Sequence, residues 1–183
     1  MAGVVSNTYG HALFEIAVSE GAVDRYLEEA QTVLTVLAEN PDVLKLYEHP
    51  KITPEEKQDF TEKCFGGRVS NNMTGFLVLA VRNGREKELP RMLREMIREA
   101  KEYKGIGIVS VTTPTPLTAE QRVRVERKIL ATTGYRTLET EYTIDPALIG
   151  GIVIRIGDRV LDASISTQLQ GLKKELLQVQ IGL

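Results

Sequence analysis

The chain reads as mainly α, a six-helix bundle over residues 1–105 followed by a small α+β domain over residues 106–183 in the order β-α-β-β-β-α. Apolar residues recur at spacings of three and four up to Lys104, and the period shortens to two after Gly105. The stretch DPALIGGIVIRIGDRVLDAS, Asp145 to Ser164, then carries the marks of a hairpin.

Ser6 or Asn7 can cap a first helix that runs to about Ser19 and stops at Gly21. It carries Val5, Tyr9, Ala12, Leu13 and Ile16 on one side, and Phe14, Ala17 and Val18 on another. A second helix, Val23 to Glu39, places Tyr26, Leu27, Ala30, Val33, Leu34 and Leu37 on one stripe. Pro41 opens a short third helix through Tyr47, closed by His49-Pro50. Thr53-Pro54-Glu55-Glu56 is a capping box with proline at the first helical position, and the fourth helix runs from it to about Cys64, before Gly66-Gly67. Ser70 or Asn71 opens the fifth, which ends at Asn83-Gly84 and contains Phe76-Leu77-Val78-Leu79-Ala80-Val81, apolar on every side. The sixth, Leu89 to Lys104, turns Leu93, Met96, Ile97 and Ala100 inward and pairs Arg98 with Glu102 outside.

Beyond Gly105, Ile106 to Thr113 alternates with β-branched residues and ends at Pro114 and Pro116. Thr118 and Gln121 form a second capping box, starting a helix to about Thr132. Leu138, Thr140, Tyr142 and Ile144 alternate with Glu139 and Glu141, a strand with a solvated acidic face. Gly150 and Gly151 allow a positive φ or a close backbone approach, so that a Cβ is excluded at one or both. Gly157-Asp158 is a two-residue hairpin loop that sets Ile156 opposite Arg159, Ile154 opposite Leu161 and Ile152 opposite Ala163, with Arg155 and Asp162 on the other face. Ile165, Leu169, Leu172, Leu176 and Val179 form the stripe of a last helix, interrupted by Gly171.

Composition narrows the function classes. The 183 residues are 42% hydrophobic and 26% charged, values ordinary for a globular chain. Up to Gly105 there are 14 Lys+Arg against 17 Asp+Glu, and beyond it 9 against 8, giving nets of −3 and +1. Neither half has the concentrated positive charge that phosphate-backbone binding needs, so Lys173-Lys174 and Arg122, Arg124, Arg127 and Lys128 read as solvated helix faces and no nucleic acid is expected. Cys64 is the single cysteine, which excludes an intramolecular disulfide and suits a reducing compartment. No apolar run approaches the roughly 20 residues of a membrane span. Met1 to Ser6 has no basic n-region, so no signal peptide is expected and membrane association would come through a partner.

Chemistry-bearing residues are sparse. His11 and His49 lack partners at metal-ligand spacing, and Cys64 sits near a helix C-terminus, away from the positive helix end that activates thiolates. Gly150-Gly151 precedes a strand, whereas phosphate-cradling glycines lie between strand and helix. The expectation is no catalytic, metal or cofactor site. From pattern alone the first and fifth helices are either central in the bundle or keep a second face for a partner.

The stretch from Asp145 to Asp162 resembles the C-terminal signature of the delta subunits of F-type ATP synthases, whose mitochondrial relative is the oligomycin-sensitivity-conferring protein. The resemblance rests on Asp145, Leu148, Ile149, Gly150, Gly151, Ile152, Ile154, Arg155, Gly157, Asp158 and Asp162, with Tyr9-Gly10-His11-Ala12-Leu13-Phe14 and Asn83-Gly84-Arg85 at matching distances upstream. It implies a stator protein with no catalytic role. The resemblance further implies that the helical domain receives an amphipathic N-terminal helix of an alpha subunit between its first and fifth helices, with Tyr9, Ala12, Leu13, Gly75, Phe76 and Leu79 lining the groove. The α+β domain would engage b-type peripheral-stalk subunits, on the cytoplasmic face of a bacterial inner membrane. The other reading is a free-standing helical adaptor that holds some other amphipathic helix.

Overall fold

A computed structural model describes residues 2–49, 51–157 and 159–169, which fall into two compact units, Met1–Ala100 and Lys101–Leu183. Asp158 and the end of the last expected helix, Gly171, Leu172, Leu176 and Val179, lie outside the described residues, as does the side chain of Val5. The chain is mainly helical with one small mixed sheet.

The first unit contains α1 (Ala2–Ser19), α2 (Val23–Glu39), α3 (Pro41–Glu48), α4 (Pro54–Phe65) and α5 (Asn71–Arg82). A 3-10 turn at Glu86–Glu88, absent from the sequence expectation, precedes α6 (Leu89–Tyr103), which runs past the unit boundary. Local signals set most of these ends. Thr53 Oγ1 accepts from Glu56 N at 3.2 Å while Glu56 Oε2 accepts from Thr53 N at 2.9 Å, closing the capping box of α4. Ser70 is the N-cap of α5, its Oγ accepting from Met73 N at 3.3 Å. Ser6 departs from expectation. It is fully buried within α1, which starts upstream at Ala2, and its hydroxyl donates to Glu88 Oε2 at 3.0 Å across the unit.

The core of this unit is one cluster in which Leu13, Tyr26, Tyr47, Met73, Met92 and Leu93 are fully buried. Gly10 lets α1 meet α6 closely, since a Cβ there would lie 2.6 Å from Met92 O and 2.8 Å from Glu95 Cβ. Most polar groups drawn inside find partners, although Glu86 Oε2 is buried without a hydrogen bond among the described residues. Tyr47 Oη and Thr61 Oγ1 are 2.8 Å apart, and burial pushes the Tyr47 phenol up. Lys57 Nζ lies 3.0 Å from Glu86 Oε1 and neutralises that buried carboxylate. Cys64 packs against the same core.

The second unit contains β1 (Ile106–Thr113), α7 (Ala119–Thr132), β2 (Thr137–Ile144), β3 (Val153–Ile156) and β4 (Arg159–Asp162), with residues 165–169 again helical. The sheet order is β2-β1-β3-β4. Strand β1 is central, parallel to β2 through the α7 crossover and antiparallel to β3. Its alternation puts Val109 and Val111 against Ile129 of α7, with Leu138, Tyr142, Ile152, Ile154 and Ile156 around them. Tyr142 Oη donates to Glu126 Oε1 at 2.8 Å under the guanidinium of Arg122, which ties α7 to β2 and gives one member of the basic run a packing role. Burial and the Glu126 carboxylate push the Tyr142 phenol up to about 12.

The hairpin has the expected register, Ile156 opposite Arg159 and Ile154 opposite Leu161, with Ala163 N donating to Ile152 O at 2.9 Å. Two details differ from expectation. Strand β4 is an edge strand exposed along its whole length, with Leu161 at 63% and Val160 at 59%, because the apolar cluster ends at β3. Val153 and Val160 share the face of Arg155 and Asp162, since they pair with Asp162 and Arg155. Glu139 is a third departure: its carboxylate lies 2.5 Å from Lys101 Nζ, so that part of the acidic face is paired rather than merely solvated.

Candidate functional site

The signature residues of the second unit build backbone. Asp145 Oδ1 accepts from Ala147 N at 2.9 Å, an Asx turn after β2. Gly151 has φ +88, and a Cβ there would lie 2.3 Å from Ala163 O and 2.8 Å from Ser164 Cα. Gly150 has no positive φ, and its Cβ would meet the flexible end of Ile165, so the stringent position is Gly151. Gly157 turns the hairpin at φ +55 in open space. Asp162 accepts from Ser164 N at 2.9 Å and from Thr167 Oγ1 at 2.7 Å, while Ser164 Oγ accepts from Thr167 N at 3.3 Å. The bonds from Ser164 and Thr167 hold the Asp162 carboxyl below the usual carboxylate range. These contacts shape a turn into a helix.

The first unit brings the α1 and α5 segments side by side. Tyr9 meets Phe76 edge-on with ring centroids 6.4 Å apart, and Asn83 Nδ2 donates to Tyr9 Oη at 3.0 Å. Asn72 Nδ2 donates to Glu20 Oε1 at 2.5 Å. Tyr9 therefore faces the end of α5 and Glu20 its beginning, so the helices are antiparallel with a polar bridge at each end. Eleven residues separate Tyr9 from Glu20 and Asn72 from Asn83, about 16 Å of helix between the bridges.

Along that interval Leu13 is 0% and Phe76 9% exposed, and both belong to the core. Ala12, Gly75 and Leu79 are exposed, Leu79 at 46%, and Tyr9 is half-buried. A Cβ on Gly75 would touch nothing within 4 Å, and its other side opens on a shallow cleft with Glu62, Gly66 and Val78. Ile16, at 39% exposure, is also exposed on α1 although the groove expectation omitted it. Its signal was there, one turn beyond Ala12 on the same helix face. The polar ends formed by Glu20, Asn72, Asn83 and Arg85 had no sequence signal, since they depend on which helices adjoin.

Elsewhere the histidines serve locally. His11 Nδ1 lies 2.7 Å from Glu99 Oε2, and that bond and charge raise the imidazole above its ordinary 6.5. His49 Nδ1 accepts from Lys51 N at 3.3 Å. Among the described residues no three His, Cys, Asp or Glu side chains are grouped to hold a metal, and no helix is long and apolar enough to cross a membrane.

A family model described as ATP synthase delta (OSCP) subunit matches residues 5–176. The chain belongs to this family. An ATP synthase subunit delta of Lachnoclostridium phytofermentans is 41% identical over 182 residues, all of both chains. Those of Clostridium botulinum and a Geobacillus species are each 31% identical, covering 93% and 95% of this chain and 94% and 97% of their own. A chain of the Toxoplasma gondii mitochondrial ATP synthase hexamer, at 18% identity, shares the fold with a TM-score of 0.72 over 94% of this chain and 97% of that one. As a member of the delta family, the chain is a subunit of an ATP synthase and serves in its stator.

Proposed function

We propose that the groove between α1 and α5 holds an amphipathic N-terminal helix of the alpha subunit, and that the α+β unit engages the b-type subunits of the peripheral stalk. The chain is then a non-catalytic strut, its helices forming a six-helix bundle on the catalytic head, at the cytoplasmic face of the membrane. Torque from the rotor must be resisted for proton flow to couple to ATP synthesis. A desolvated apolar contact resists it better than a rim of screened charge pairs.

One observation supports this reading above the others: Ala12 and Ile16 on one helix and Gly75 and Leu79 on the other remain exposed, over a buried floor of Leu13 and Phe76 and between two polar bridges. Small residues there leave room for a third helix, and the larger ones give it anchors. Leu79→Asp decides the matter. At an exposed position the change should alter stability by about 0.5 kcal/mol or less. Binding of the alpha N-terminal peptide, measured by calorimetry, should weaken by about 2 kcal/mol or more. A folded Leu79→Asp protein that binds the peptide as the wild type does would exclude the groove.

A further inference from the structure

Asn83-Gly84-Arg85 closes α5 with a Schellman turn: Gly84 has φ +64, its N–H donates to Val81 O at 3.0 Å, and Arg85 N donates to Ala80 O at 2.9 Å. This turn aims two side chains at one ring. Asn83 Nδ2 donates to Tyr9 Oη at 3.0 Å, and the Arg85 guanidinium carbon lies 5.8 Å from the centre of the Tyr9 ring. The 3-10 turn Glu86–Glu88 follows directly, and it is fastened on two flanks. On the α1 side Glu88 Oε2 accepts from Ser6 Oγ at 3.0 Å. On the α4 side Lys57 Nζ lies 3.0 Å from Glu86 Oε1, with side-chain exposures of 15% and 9%. The second fastening is half-satisfied. Glu86 Oε2 is buried with no hydrogen-bond partner, and Lys57 is the carboxylate's only charged partner among the described residues. A buried pair of this kind returns little net stability, because desolvation offsets the attraction, but loss of one partner strands the other.

We propose that Lys57 is a positioning residue for the groove: through Glu86 it holds the turn that keeps Asn83 and Arg85 on Tyr9, the aromatic anchor at that end. Lys57 belongs to α4, yet it acts on a groove walled by α1 and α5. Without its ammonium an unpaired carboxylate is left inside, and the carboxylate relieves that cost by turning out to water. Glu86 directly follows Arg85 in the chain, so its exit drags the turn and, with it, the two side chains that fix the Tyr9 ring. Tyr9, now edge-on to Phe76 at a centroid distance of 6.4 Å, is then no longer held in one rotamer. A partner helix that must order its own anchor binds more weakly.

The inference rests on the groove reading given above, and its test separates the two by starting without peptide. Spectra of isotopically labelled full-length protein report the Asn83 side-chain amide and the Tyr9 ring. Lys57→Met should shift both. Adding Glu86→Leu in the same chain removes the stranded carboxylate and should return them to their wild-type positions. Signals unmoved in a folded Lys57→Met protein, or moved and not returned by the second change, overturn the positioning role. A general loss of stability would not produce that pattern. Where Lys57→Met fails to fold, Lys57→Gln replaces it, since its amide still donates to Glu86 Oε1 while the charge is gone. It should give a smaller shift in the same direction, with the same rescue. The alpha N-terminal peptide is then titrated by calorimetry at a temperature at which every variant is folded. Its affinity should fall roughly 2- to 30-fold for Lys57→Met and recover in the double variant. Displaced signals with unchanged affinity overturn the role in binding, because Tyr9 is then set by the pair without serving as an anchor. A wild-type protein that ignores the peptide overturns the groove, and the peptide-free spectra still decide whether Lys57 sets Tyr9.

Discussion

The two units close their cores in different ways. Among the described residues the helical unit buries twenty apolar side chains in one cluster, including Tyr26, Tyr47 and three methionines, and leaves Ile16, Val18, Val36 and Leu79 exposed. The α+β unit buries three, Val109, Val111 and Ile129, and leaves Ile149 at 73%, Leu161 at 63% and Val160 at 59% exposure. Its shape depends on strand ladders, caps and tight glycines, of which Gly151, set against backbone, is the strictest. The comparison teaches that one family fold can join a unit held by volume to a unit held by backbone geometry. The first should be damaged most by charge or cavities inside, the second by Cβ atoms and lost caps.

Phe76→Asp should have the largest effect and test the core side of the contrast. With 9% exposure beneath the groove, the new carboxylate would be buried without a partner, costing the helical unit about 3–5 kcal/mol. A urea titration followed by circular dichroism would reveal it, and a fully stable variant would show that Phe76 belongs to the groove wall instead. Gly151→Ala tests the backbone side. At φ +88 with Ala163 O 2.3 Å from the added Cβ, it should cost the α+β unit about 1–3 kcal/mol or more and leave the helical unit's transition in place. Gly150→Ala, facing only the end of Ile165, should cost distinctly less, and equal losses would remove the distinction between the two glycines.

Thr118→Ala removes the hydroxyl that accepts from Gln121 N at 3.3 Å, and should cost about 1 kcal/mol in the α+β unit. The smallest effect belongs to His11. Glu99 raises its folded pKa above 6.5, so its favourable contribution is full below 6.5 and is lost as pH rises through the raised folded value. The difference in urea midpoint between wild type and His11→Gln should therefore shrink as the pH rises from about 5 to 8. A difference that is flat across this range would show that the imidazole takes no charge-dependent part.

Most of the secondary structure was legible in the sequence alone. Thr53 with Glu56 and Thr118 with Gln121 placed two helix starts, and β1 occupies Ile106–Thr113 as its alternation required. The hairpin register followed from Gly157 and the isoleucines before it. Such signals reach across three or four residues, so the chain carries them locally. What failed was of longer range. Ser6 resembled a cap but bonds to Glu88, eighty-two residues away. Glu139 resembled a solvated acid but meets Lys101. On α5, which is apolar all round, no period separates Phe76 in the floor from Leu79 in the wall. The sequence by itself determined most of the elements and the family. Tertiary structure alone decided which of their apolar residues are spent on the core and which remain exposed, because burial depends on what neighbouring helices cover, and a helix does not encode its neighbours.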